Sequence, residues 1–166
     1  KKGKVFKTIS PSMDIQISSN FERLIFDLFE KDHFIIKNFM NNLKNNGEFT
    51  IEDLFAKKLR KVFFSGSTNE LQTKYTLRNI YDTYQELVCP HTAVGLKVTN
   101  DYIKKNKSKW KVITLATAHP AKFPEAVLKA TGVNPELPER LKFITKEKEN
   151  YFNMSNSVNE VKNFIK

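Results

Sequence analysis

The sequence predicts a helix-rich α/β domain in which helices pack on a mostly parallel sheet. Three observations carry that expectation. The run "WKVITLA", residues 110–116, is apolar with hardly a polar interruption, as in a strand whose two faces are both covered by helices. Several other segments repeat apolar residues at i, i+3, i+4 and i+7, the period of an amphipathic helix. Two short alternating runs, "KVFKTIS" and "DIQIS", read as further strands.

From the N-terminus, "SPSM" is a turn between the two alternating runs. Ser19 precedes Glu22 by three residues, the spacing of a capping box, and Phe21, Leu24, Ile25, Leu28 and Phe29 then follow at helical spacing. Phe34, Ile35, Phe39 and Leu43 repeat the pattern up to Gly47, where glycine easily takes a left-handed cap, so a helix hairpin is expected. Thr50 and Asp53 mark another start, for "IEDLFAKKLRK", which precedes the apolar "VFF". In "SGSTNE" the small residues could cradle a phosphate. The stronger reading is a helix cap, because Ser67 and Glu70 make a capping box and the multiple glycines of a phosphate loop are absent. Ile80, Tyr81, Tyr84 and Leu87 would then share one helical face. Pro90 opens a further helix, its missing N–H being harmless at the first position. Beyond the strand at 110–116, a helix runs from Pro124 to Gly132. A proline-punctuated segment and a polar linker lead to a last helix with Val158, Val161, Phe164 and Ile165 inward. Residues 1–145 form the main body, and 146–166 the linker and terminal helix.

Fourteen phenylalanines and 40% hydrophobic residues in a chain of 166 exclude a disordered or collagen-like polymer. No apolar run approaches the roughly 20 residues of a membrane span, and no signal-peptide pattern follows the charged start, so a cytoplasmic protein is expected. The single cysteine, Cys89, is expected to be reduced and structural. A net charge of +10 invites a nucleic-acid reading. The cations, however, are mostly lysines scattered among asparagines, as in "NNLKNNGEF", and no helix-turn-helix, zinc-finger or RNA-binding signature accompanies them. A lysine-rich module for nucleic acid or an acidic partner stays as the second reading. Since the chain opens at Lys1 inside an expected strand, it reads as a piece of a longer one.

In an open α/β sheet, ligands sit beyond the carboxyl ends of strands, which is where "TLATAHPAKF" places Thr117 and His119. A hydroxyl there can meet a heteroaromatic nitrogen or a phosphate, and the proline after His119 holds that residue extended. A plain helix cap and an ordinary surface histidine explain the same residues. His91, in the first turn of its helix, either lines a pocket or merely decorates the helix start. Three histidines, at 33, 91 and 119, lack the spacing of a metal site. No nucleophile elbow supports a serine triad.

Three stretches in this order, "SPSMDIQISSNFERL", "CPHTAVG" and "TLATAHPAKFPEAV", closely resemble the carboxyl-terminal part of bacterial threonine synthases. The resemblance covers most of residues 4–132. It implies the fold-type II family of pyridoxal 5'-phosphate enzymes, with residues 1–145 in the large domain. The implied reaction turns O-phosphohomoserine and water into threonine and phosphate, with phosphate leaving the γ carbon and water adding at the β carbon. It also implies that the Schiff-base lysine and the loop gripping the cofactor phosphate lie in a missing N-terminal part of the same chain, so these residues alone would be inactive. By the same resemblance Thr117 is the hydroxyl that meets the cofactor's pyridine nitrogen. Being neutral, it need not keep that nitrogen protonated, and so moderates the electron sink. Asp14, Ser18, Asn20, Arg23, His91 and His119 are substrate-pocket candidates. Cys89 departs from the pattern, which has an acidic residue before the proline.

Overall fold

The computed structural model describes residues 1–107, 109–144 and 146–166. Among them the chain is helical and no strand forms, so the expected arrangement of helices on a mostly parallel sheet is corrected. The physical reason lies in what a strand is: an extended run becomes one only when a second backbone hydrogen-bonds beside it. Among the described residues no ladder forms along "WKVITLA", and Ile113 is 87% and Leu115 77% exposed. "KVFKTIS" and "DIQIS" stay equally unpaired.

Two compact units divide the chain, residues 1–135 and 136–166. The boundary expected at residue 145 falls on a residue outside those described. In the first unit, α1 (Ser19–Leu28) and α2 (His33–Asn45) pack together as the expected hairpin. Its turn places Glu30 and Lys31 at positive φ. The cap of α1 is Ser18, one residue before the expected Ser19, its hydroxyl accepting from the Phe21 N–H at 3.4 Å. Asp32 caps α2 through the N–H groups of Phe34 and Ile35, and Gly47 follows its end at φ +76°. Between α1 and α2, and with α3 (Asp53–Val62) contributing Phe55, lies an aromatic core. Ile25, Phe29 and Ile36 are buried there, with Phe29 stacked on Phe55 at 4.1 Å and edge-on to Phe39 at 5.3 Å.

The second group of helices carries the site. α4 (Glu70–Tyr84) packs against α5 (Pro90–Asn106) and α6 (Pro124–Thr131). The capping box of α4 is Asn69 with Gln72, two residues beyond the expected Ser67 and Glu70. The Gln72 N–H donates to Asn69 Oδ1 at 2.8 Å and the Asn69 N–H to Gln72 Oε1 at 2.9 Å. The inner face also differs from expectation: Thr73, Thr76 and Leu77 are buried, Tyr84 is exposed, and Leu87 lies beyond the helix end. Small threonines let α4 lie close to its neighbours, where tyrosines would hold them off. Their hydroxyls donate to Asn69 O and Gln72 O one turn back, which satisfies them without a partner helix. In the loop before α4, a Cβ added at Gly66 would lie 2.9 Å from a methyl of Val98 on α5. Arg78 donates to the carbonyl of Thr131 at 3.0 Å and so covers an end group of α6, which stops at Gly132, φ +79°.

In the second unit, α7 (Val158–Ile165) is capped by Ser157 and carries Phe164 against Phe152 at 5.1 Å. Its apolar stripe, expected to face inward, is exposed at Val158, Phe164 and Ile165. Of the scattered lysines, Lys74, Lys97 and Lys129 pair with a carboxylate four residues away on their own helices. No helix among the described residues is long and apolar enough to cross a membrane.

Candidate functional site

The first turn of α5 is the most deeply buried part of that helix. Cys89, Pro90, His91, Thr92 and Ala93 are all below a tenth exposed. Proline starts the helix, and the cap is a thiol: Cys89 Sγ accepts the Thr92 N–H at 3.4 Å. Cysteine is outside the usual set of capping residues, so pattern reading assigns it no such task. Residues 116–118 cross this turn. The Thr117 N–H donates to Thr92 Oγ1 at 3.1 Å, and the two threonine oxygens lie 3.3 Å apart. Cys89 Sγ lies 3.2 Å from Thr92 Oγ1 and 3.4 Å from Thr117 Oγ1, so three polar side chains form a triangle. Burial raises the pKa of the Cys89 thiol. Hydrogen bonds from the side chains of Thr117 and Thr92 and from the backbone of Thr92 and Ala118 outweigh that and leave it below the usual thiol value.

Thr117 is the exposed corner of the triangle and stands between two cavities. One, of about 590 Å³, is lined by polar Ser12, Asn20, Ser65, His91 and Lys122 and by apolar Phe64, Val94, Val98 and Phe123, with Gly66 among them. The other, of about 430 Å³, is lined by Leu87, Cys89, Thr92 and His119. Thus Thr117, His91 and Asn20, 97 residues apart in sequence from first to last (117 − 20), share one cavity.

His91 packs its ring against Phe123 at 4.8 Å, and Nε2 accepts the Ser12 N–H at 3.1 Å. Its Nδ1 is buried without a hydrogen-bond partner. Burial lowers the pKa of this imidazole, the Lys122 cation lowers it further, and the Asp14 carboxylate partly opposes both. The unfolded chain therefore binds the proton more readily than the folded one. Stability from this residue is fully present above the ordinary histidine value of 6.5 and is lost as pH falls through the lower, folded value. We expect the urea midpoint to drop between pH 7.5 and pH 5.5 and the drop to shrink in His91→Gln. Parallel pH profiles for the two proteins would rule the effect out.

The remaining sequence candidates lie elsewhere. Asp14 accepts from the N–H and hydroxyl of Thr8 at 2.7 and 2.8 Å, closing the loop that presents Ser12. Ser18 caps α1. Arg23 hydrogen-bonds Asn20 and lines a separate groove along α1 and α2, with Phe26, His33 and Lys37. His119 borders the smaller cavity, and its Nδ1 accepts the Ala121 N–H at 3.2 Å at the start of the 3-10 turn Pro120–Lys122. Thr92 was not among the candidates: a threonine inside a helix reads as neutral, and nothing in the sequence ties it to a residue 25 positions on.

The family described as "Threonine synthase, C-terminal" matches residues 92–165. A threonine synthase of Pseudomonas aeruginosa is 36% identical over 159 residues, covering 95% of this chain and 34% of that protein. One of Saccharomyces cerevisiae is 37% identical, covering 84% of this chain and 31% of its own length. Among solved structures, a PLP-bound threonine synthase from Brucella melitensis aligns over 99% of this chain and 35% of its own, with a TM-score of 0.78 and 37% identity. The yeast threonine synthase structure gives a TM-score of 0.77 at 35% identity. The chain spans about a third of the length of the relatives it matches.

Proposed function

Because this chain belongs with the threonine synthases, as the counterpart of their carboxyl-terminal third, we propose that it forms the pyridine-nitrogen side of a pyridoxal-phosphate site in such an enzyme. The intact enzyme would convert O-phosphohomoserine and water to threonine and phosphate in the cytoplasm. The observation that carries this reading is the triangle of Cys89, Thr92 and Thr117, which holds an exposed neutral hydroxyl at the edge of a cavity with aromatic walls.

The residues present fit one end of the cofactor. Phe64 and Phe123 offer apolar faces to a flat ring, and Thr117 Oγ1 is a hydroxyl that both donates and accepts, as a ring nitrogen of either protonation state needs. When bound, pyridoxal phosphate supplies an electron sink for bonds at the substrate's α carbon. This chain's own part is positional. Thr117 sets the hydrogen bond at the nitrogen, and Asn20 and His91 line the cavity as neutral groups beside the Lys122 cation. Asp14, Ser18, Arg23 and His119 are engaged in local hydrogen bonds outside that cavity's lining. The lysine that anchors the cofactor and the loop that grips its phosphate are assigned to residues outside 1–166.

Borohydride reduction of the intact enzyme, followed by peptide mass mapping, tests the division of labour. The expected product carries pyridoxyl on a lysine outside these 166 residues. Labelling of any lysine within them would overturn the assignment.

A further inference from the structure

Thr117 is exposed and sits on a run that no helix or ladder holds, so its own backbone cannot fix where its hydroxyl points. What fixes it comes from α5. Thr92 is 5% exposed and touches Thr117 twice: its Oγ1 receives the Thr117 N–H at 3.1 Å and stands 3.3 Å from the Thr117 hydroxyl. The fully buried Cys89 supports Thr92 from behind, with Sγ 3.2 Å from Thr92 Oγ1 and the Thr92 N–H directed at the same sulfur. Thr92 Oγ1 and Cys89 Sγ flank the Thr117 hydroxyl on its inner side, and Thr117 itself lines the open cavity. Without Thr92, the contact to Cys89 Sγ at 3.4 Å is the one left to the hydroxyl among those described, and Cys89 does not line the larger cavity.

We propose that Thr92 is a positioning residue, one that acts through Thr117 by clamping both its backbone and its hydroxyl so that the oxygen faces the cofactor's ring nitrogen. This rests on the reading of Thr117 given above. It predicts that removing one buried oxygen, with shape conserved, changes the electronic state of a ring that the side chain never touches. Threonine and valine have nearly the same shape, so Thr92→Val removes the oxygen and little else.

The test uses the intact holoenzyme loaded with cofactor labelled with 15N at the ring nitrogen, and reads that nitrogen's chemical shift. In Thr117→Val the resonance should move. Thr92→Val should reproduce at least half of that displacement, the double variant should move it no further than Thr117→Val alone, and Thr92→Ser should leave it near the parent position. A resonance that moves in Thr117→Val and stays in place in Thr92→Val overturns the positioning role and leaves the Thr117 reading intact. A resonance unmoved in Thr117→Val overturns that reading itself. If Thr92→Val does not fold, Thr92→Cys, with a weaker hydrogen-bonding group at the same place, must give an intermediate displacement, and none in that variant equally overturns the proposal.

Discussion

Replacing Thr117 by valine in the intact enzyme is expected to lower kcat about 10²-fold, the scale on which single preorganised hydrogen bonds at a reacting system are usually found to act. Folding should hardly notice. The hydroxyl is at the exposed corner of its triangle, so its loss should cost about 1 kcal/mol of stability, and the Thr117 N–H keeps its acceptor on Thr92. The informative result is therefore a split between turnover and unfolding midpoint. Steady-state kinetics beside a urea titration measures both, and unchanged kinetics with a folded protein would remove Thr117 from the site.

Leu77→Ala should have the largest effect on the fold, a loss of about 2–5 kcal/mol, because the side chain is 1% exposed and its removal leaves a void the neighbours cannot fill. It lies on α4, which packs on both α5 and α6, so the damage spreads to the elements that flank Thr117. Tyr84, on the same helix and exposed, is the control: Tyr84→Ala should stay within about 0.5 kcal/mol of the parent. Chemical denaturation of both variants decides which face of α4 is inward. Equal losses would contradict the packing described.

The helices were legible where one residue type leaves little choice. Pro90 and Pro124 open helices, and Gly47 and Gly132 follow helix ends at positive φ, all as the sequence predicts. Caps were legible only to within a residue or two, because serines, threonines and asparagines crowd these starts and several satisfy the three-residue spacing. Ser18 displaces Ser19, and Asn69 with Gln72 displaces Ser67 with Glu70. The expected sheet is absent among the described residues for a deeper reason. Helical hydrogen bonds are internal to a segment, whereas a strand is a relation between two segments, and the apolar character of "WKVITLA" says nothing of whether the second is there. In the site, Thr117 and His91 could be singled out because hydroxyl and imidazole are conspicuous at a corner and at a helix start. Thr92 and Cys89 could not, since their part depends on a crossing between residues 25 and 28 positions apart.

The close approach of Gly66 to Val98 joins the loop before α4 to α5 at the edge of the larger cavity. Both residues line it, on opposing elements, and the bare α carbon is what lets the loop settle against the helix. A single methyl at that spot would meet the valine methyls, so either that side chain turns or the loop moves off the helix, a choice the missing atom spares the protein.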